Sequence, residues 1–235
     1  MLKIGSDSIG KMYIGSDAVA KAYIGSDLVY QSGPPSYISN GLVFHLDGAD
    51  ATVSQWVDKI GGITFTMNNV TLDGNGGVVF NGTSSYGNYS TNLNYPSSTY
   101  TIEITLNKAN QTGLQVAFMI NSSNMVSFGF SSGGDYIVTK SGNSNARNTW
   151  NTSYGLHAYS VTNSTAYKDG KAMTNRSTDT WYLRTGGTFI GSRSVDNAFF
   201  KGTIYQIRVY SRALTAAEIA HNQAIDIEKY NITTT

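Results

Sequence analysis

Tyr100-Thr101-Ile102-Glu103-Ile104-Thr105-Leu106 carries an apolar side chain at every second position. Successive residues of a strand point to opposite faces, so the run reads as a half-buried strand. Tyr100, Ile102, Ile104 and Leu106 face a core, and Thr101, Glu103 and Thr105 face outward. The same alternation recurs on either side of it. Leu42, Phe44 and Leu46 alternate with Val43, His45 and Asp47; Val126, Phe128 and Phe130 with Ser127, Gly129 and Ser131; and Tyr205, Ile207 and Val209 with Gln206 and Arg208. Tyr167-Lys168-Asp169-Gly170-Lys171 reads as a hairpin, because Asp-Gly suits the primed turn that matches strand twist. Short strands at this spacing predict an all-β chain folded as a two-sheet antiparallel sandwich.

One helix interrupts the pattern. Leu214-Thr215-Ala216-Ala217-Glu218-Ile219 has Thr215 as N-cap and Glu218 three residues on, a capping box, with Leu214 and Ile219 as the staple around it. The helix is predicted to run to about Lys229, with Ile219 and Ile225, joined by Ala216 and Ala220, against the sheets.

Charged residues are 13% of the chain, about half the usual quarter. The surface is therefore covered by Ser, Thr, Asn, Gly and Tyr, a palette for neutral polar partners such as sugars. A formal net charge of +1 leaves no basic footprint for nucleic acid. The lack of cysteine excludes disulfides, thiolate catalysis and cysteine-ligated zinc. Met1-Leu2-Lys3-Ile4-Gly5-Ser6-Asp7 lacks the charged and apolar regions of a signal peptide, so none is expected, and no apolar run is long enough for a membrane span. Asn-x-Ser/Thr sequons at Asn81, Asn88, Asn121 and Asn163 are read as chance in so Asn- and Ser-rich a chain.

Ile4-Gly5-Ser6-Asp7 recurs as Ile14-Gly15-Ser16-Asp17 and Ile24-Gly25-Ser26-Asp27. Each unit reads as a short strand closed by a Gly-Ser-Asp turn, giving strands near Lys11–Ile14, Lys21–Ile24 and Leu28–Tyr30 in a three-stranded meander. So small a sheet is marginal alone. Its apolar residues Ile4, Tyr13, Ile14, Tyr23, Ile24 and Val29 are expected to serve attachment or oligomerisation. Gly33-Pro34-Pro35-Ser36 stiffens the backbone and removes donors. The expected organisation is a small repeat-built β segment over 1–32, a Pro-rich linker over 33–36 and the sandwich over 37–235.

Four stretches carry a family resemblance. Asn40-Gly41-Leu42-Val43-Phe44-His45-Leu46-Asp47-Gly48 with Trp56-Val57-Asp58 resembles the opening of the concanavalin A-like lectin/glucanase superfamily in its laminin-G-like branch. Val79-Phe80-Asn81-Gly82-Thr83-Ser84-Ser85-Tyr86, the Asp169-Gly170 hairpin, and the segment from Phe200 to Ile219 are similar to its later markers, in family order. The resemblance implies a jelly roll of two antiparallel sheets, and leaves function to the site. The decapeptide repeat resembles segments of virion proteins from tailed phages of gut bacteria. That implies a head or tail fibre or a capsid decoration protein, assembled in a bacterial cytoplasm and displayed at the virion surface among other virion proteins, as a homo-oligomer such as a trimer.

The chemistry is read as binding, not catalysis. Enzymes of the superfamily use carboxylates spaced Glu-x-Asp-x-Glu on one strand. Ile225-Asp226-Ile227-Glu228 matches only in part and lies in the predicted helix, where positions i and i+2 do not share a face; it reads as a solvated helix face. Glu103 has no acidic partner two residues away, and His45, His157 and His221 lack metal-ligand spacing. A glycoside hydrolase is therefore disfavoured. No cofactor is expected, with calcium left open: it needs several oxygen ligands, and Asp47, Asp50, Asp58 and Asp73 form no dense run. Sugar recognition calls for aromatic faces beside planar polar groups. Tyr86, Tyr89 and Tyr95, Trp150, and Trp181 with Tyr182 and Arg184 are the candidate ligand-binding residues. The expected function is glycan adhesion at a cell surface. The alternative is a purely structural virion protein whose sandwich meets other chains.

Overall fold

The computed structural model describes residues 3–4, 7–8, 13–14, 17–18, 21–24, 27–31, 36–90, 99–111, 113–120, 126–131, 134–139, 147–150, 154–162, 165–174, 188–193 and 198–234. The chain divides into two compact units, Met1–Tyr37 and Ile38–Thr235. Of the expected linker, residues 33–35 lie outside the described residues.

The first unit contains three separate two-stranded antiparallel sheets: Lys3–Ile4 with Asp7–Ser8, Tyr13–Ile14 with Asp17–Ala18, and Lys21–Ile24 with Asp27–Gln31. The register repeats, with Ile4 opposite Asp7, Ile14 opposite Asp17 and Ile24 opposite Asp27. The expected three-stranded meander is thus replaced by one hairpin per repeat. Two residues between Ile and Asp is the spacing of a tight hairpin, so each repeat pairs with itself before it can pair with the next.

The second unit is a sandwich of two eight-stranded antiparallel sheets. The first runs in the order Thr71–Leu72, Val78–Asn81, Lys201–Tyr210, Thr101–Lys108, Gly155–Thr162, Ala166–Lys168 and Lys171–Ala172, with Leu42–Asp47 also paired to Lys201–Tyr210. The second runs in the order Arg147–Trp150, Gly134–Thr139, Val126–Ser131, Gln115–Ile120, Thr188–Ile190, Tyr86–Tyr89, Thr64–Asn68 and Gln55–Val57. The core between them holds Phe44, Leu46, Trp56, Phe65, Phe80, Ile102, Ile104, Leu106, Phe118, Phe128, Phe130, Ile207 and Val209. The Asp-Gly turn forms as read: Asp169 has φ 50° and Gly170 φ 83°, and Lys168 pairs with Lys171. Tyr205 departs from its expected inward place beside Ile207. The register shifts there, so Leu106 faces Ile204 while Thr105 faces Gln206. The extra residue is a bulge, and the Tyr205 ring meets Tyr230 with centroids 4.8 Å apart.

The helix spans Ala216–Tyr230, and its capping box is complete. Its buried face is not the apolar one expected. Ile219 is buried, but its companions are Asn222, Gln223 and Asp226, while Ala216 and Ala220 are exposed and Ile225 is half-buried. The reason lies beneath the helix. The outward face of the first sheet presents Glu103, Thr105, Ser160, Gln206 and Arg208, and a helix lying on polar groups must satisfy them. Strand Thr101–Lys108, read as half-buried, is consequently buried on both faces at all but Asn107. Among the described residues, the apolar cluster at the helix joins Tyr210, Leu214 and Ile219 with Ile38, Leu42 and Tyr167.

Candidate functional site

The two sheets differ on their outer sides. The helix seals the first. On the second, Met67 pairs with Gly87, Gly87 with Ile190 and Ile190 with Phe118, all on the core side. A Cβ at Gly87 would lie 2.5 Å from Met67 Sδ, which fixes the inward side of that strand. The alternate residues therefore point outward. Gln55 pairs with Thr66, Thr66 with Asn88, Asn88 with Phe189 and Phe189 with Met119. One row thus crosses five strands perpendicular to their length, with Met119 buried, Asn88 and Phe189 half-buried, and Thr66 and Gln55 exposed. Strands lie about 4.8 Å apart, so Gln55 to Phe189 spans about 14 Å. The adjacent row sets Asn68 opposite Tyr86, whose ring lies 6.5 Å from that of Phe199. Among the described residues nothing hydrogen-bonds the Asn88 amide. The face combines amides, hydroxyls and aromatic rings, with no charged side chain in either row.

The structure separates the aromatic residues singled out in the sequence. Tyr86 lies on this outer face. Tyr89 does not: it packs on the core, its ring 5.7 Å from that of Phe65. Trp150 pairs with Asp135 at the end of strand Arg147–Trp150. Tyr95, Trp181, Tyr182 and Arg184 lie outside the described residues. Sequence reasoning missed Gln55, Thr66, Asn68 and Phe189. Their common face depends on the pairing of strands remote in sequence, which the period-two pattern alone does not fix.

A family profile of the concanavalin A-like lectin/glucanases superfamily matches residues 81–220, more than half of the chain. The chain belongs to this superfamily. Among solved structures, Trypanosoma rangeli sialidase in complex with sialic acid aligns with a TM-score of 0.66 at 13% identity, covering 90% of this chain and 36% of the sialidase. The binding domain of botulinum neurotoxin DC in complex with rat synaptotagmin II aligns with a TM-score of 0.58 at 14% identity, covering 79% of this chain and 51% of the toxin domain. A botulinum neurotoxin type C structure, from a toxin whose cell entry depends on two ganglioside molecules, gives a TM-score of 0.58 at 14% identity, covering 79% of this chain and 51% of that one. The chain thus spans between a third and a half of these structures, and at such identity the likeness is one of fold. No curated protein matches the sequence.

Superfamily enzymes work through carboxylates, and in this concanavalin A-like sandwich two buried ones, Glu103 and Asp226, lie together under the helix. Glu103, Arg208 and Asp226 are each 1% exposed. Arg208 donates from Nε to Glu103 Oε2 at 2.9 Å, from Nη2 to Asp226 Oδ2 at 2.5 Å and from Nη1 to Gln206 Oε1 at 2.7 Å. Glu103 also accepts from Ser160 Oγ at 3.0 Å and Asn222 Nδ2 at 2.9 Å, and Asp226 from Thr105 Oγ1 at 2.8 Å. Burial pushes the Glu103 carboxyl above the ordinary carboxylate range, against the pull of Arg208. Asp226, read as solvated, is instead a buried ion-pair partner, because the helix turns its polar side to the sheet. A shared arginine and an overlying helix leave these carboxylates no path to a substrate.

The four aspartates weighed for calcium have other partners. Asp47 accepts from Lys229 Nζ at 3.2 Å and the Ala49 N–H at 3.2 Å, and lies 3.6 Å from Lys59. Burial opposes ionisation there, but Lys229 and then the Ala49 N–H outweigh it and hold the carboxyl below its usual range. Asp50 pairs with Lys59 at 2.8 Å. Asp58 accepts the backbone N–H groups of His45, Ile60 and Gly61 at 2.7, 3.1 and 2.6 Å. Asp73 accepts those of Asn75 and Gly77 at 2.7 and 2.8 Å. Among the described residues no three His, Asp or Glu side chains converge on one point. The cleft of about 290 Å³ beside Asp73 is lined by Gly48, Ala49, Ala51, Leu72, Gly74, Gly76 and Gly77, with no carboxylate.

Proposed function

We propose that the sandwich is a non-enzymatic adhesion module that binds neutral cell-surface glycans across the outer face of its second sheet. The observation that carries this reading is the row Gln55, Thr66, Asn88 and Phe189, flanked by Asn68 and Tyr86. Planar amides and hydroxyls meet sugar hydroxyls, and ring faces meet C–H patches. An acidic sugar would call for Arg or Lys, and neither stands in these two rows. The ganglioside dependence of a toxin of the same fold supports glycan recognition in general as a use of the scaffold, while the neutral class of sugar rests on the two rows alone. The sealed state of Glu103 and Asp226 supports the absence of hydrolysis. The resemblance of the decapeptide repeat supports a place on a phage particle, as a fibre or a capsid decoration.

The test is titration calorimetry of the full chain against neutral and sialylated oligosaccharides, with chromatography of the sugars afterwards. Binding of neutral sugars, weakened in Asn88→Ala and by up to about tenfold in Tyr86→Ala, and leaving the sugars intact, is the expected result. Binding only of sialylated sugars, or cleavage, overturns the reading. One observation favours a purely structural role: Val53, Val57 and Ile60 are exposed around edge strand Gln55–Val57, and an apolar edge strand is a pairing template for another chain.

A further inference from the structure

We infer that the three N-terminal hairpins are a self-assembly surface whose occupant is a second copy of this chain. Each hairpin is a two-stranded sheet, and sheets of that size need further strands or a packing surface to persist in water. Both outer edges of a two-stranded sheet carry unpaired backbone groups. In the third hairpin the apolar pair that would be covered is exposed, with Tyr23 55% and Ile24 68% accessible. Ile14 and Ile4 hold the register position of Ile24, each opposite the Asp of its own repeat. An Ile at the same register position in three hairpins at ten-residue spacing, preceded by Tyr in two of them, calls for a partner with the same repeat, and the chain itself supplies one.

The charges fit this occupant. Residues 1–32 contain Lys3, Lys11 and Lys21 against Asp7, Asp17 and Asp27, so the segment is neutral. In the third hairpin Lys21 sits at the open end, opposite Gln31, and Asp27 at the loop end, opposite Ile24. A second hairpin running antiparallel alongside therefore meets the opposite sign at both ends. Like-charged copies would repel, whereas these are self-complementary. Assembly would also multiply any adhesive face, but the inference stands on the hairpins alone.

Light scattering of the full chain over a concentration series tests it. Two full-length variants accompany the wild type, one with Lys3, Lys11 and Lys21 all changed to Glu, the other with Asp7, Asp17 and Asp27 all changed to Lys. The sandwich's thermal transition serves as the folding control. A wild-type oligomer, monomeric in each variant alone and restored when the two are mixed, is expected. A monomeric wild type, an oligomer that survives in either variant, or a mixture that stays monomeric overturns the inference. None of these readouts involves a sugar, so failure here is separable from failure of the adhesion reading.

Discussion

Arg208 on the longest strand and Asp226 on the helix are joined by two hydrogen bonds, Nη1 to Oδ1 at 3.1 Å and Nη2 to Oδ2 at 2.5 Å, in a site with 1% exposure on either side. Arg208 is shared with Glu103, so Asp226→Ala leaves the guanidinium paired and removes its charge-assisted hydrogen bonds to the helix. Asp226→Ala is therefore expected to lower the unfolding free energy by about 1.5–3 kcal/mol, read from the urea midpoint. Arg208→Met leaves Glu103 and Asp226 facing each other without their cation and is expected to cost more, about 3–5 kcal/mol. If either variant unfolds at the wild-type midpoint, the helix is not held by this pair.

His45 gives the sandwich a pH dependence with a definite sign. Its Nε2 lies 3.0 Å from Gln206 Oε1, which also accepts from Arg208 Nη1, so His45 is the donor in that contact. Burial first, and the nearby Arg208 charge second, lower its pKa below 6.5. The unfolded chain then takes up the proton more readily than the folded one. The contribution to stability is complete above the unfolded value and is lost as pH falls through it toward the folded value. Urea midpoints are expected to fall between about pH 7.5 and about pH 5.5, with a shallower fall in His45→Gln, which keeps a donor for Gln206. A His45→Gln profile parallel to the wild type would refute the assignment.

The sandwich was legible because alternation and the capping box are local signals. Phe44, Leu46, Ile102, Ile104 and Leu106 declare their inward side within a few residues, and Thr215 with Glu218 declares the helix start. The covering of Glu103 and Arg208 was not legible. A polar outward residue looks the same whether it meets water or Asn222, Gln223 and Asp226. The available signal was the helix itself, whose polar residues at 222, 223 and 226 share the face of Ile219 at helical spacing. The outer row was hidden for a different reason: Gln55, Thr66, Asn88 and Phe189 are aligned by registers between four separate strands. The division between Tyr86 and Tyr89 follows from strand parity, which became readable only once Gly87 was known to face Met67.

Gly191 is fixed by backbone and space together. Its φ is 74°, and an added Cβ would lie 2.1 Å from Phe80 Cδ1. Its N–H donates to the Ala117 carbonyl at 2.8 Å and its carbonyl accepts from the Phe200 N–H at 2.8 Å, so the backbone cannot turn away without losing both. Gly191→Ala is expected to cost more than about 2 kcal/mol, seen as a lowered thermal midpoint, while Gly170→Ala, which meets nothing within 4 Å, bears only the strain of its positive φ. Equal midpoints for the two variants would show that the contact with Phe80 relaxes at no cost.

Tyr86 and Tyr89 are three residues apart on one strand and are expected to fail in opposite ways. Tyr86 stands on the outer face beside Asn68 and Phe199, so Tyr86→Ala removes a ring from the proposed glycan face and little from the core. An aromatic contact contributes about 0.5–1.5 kcal/mol, and about 1.4 kcal/mol is tenfold in affinity, so a loss of up to about tenfold for neutral oligosaccharides is expected, with the thermal midpoint nearly unchanged. Tyr89 packs on Phe65 and the core, so Tyr89→Ala is expected to destabilise by about 2–4 kcal/mol while leaving the affinity of the folded fraction intact. Calorimetry of binding and thermal unfolding, run on both variants, separate the two effects. If Tyr89→Ala lost affinity and Tyr86→Ala did not, the ligand would have to lie away from the outer face of the second sheet, and the row from Gln55 to Phe189 would meet only water.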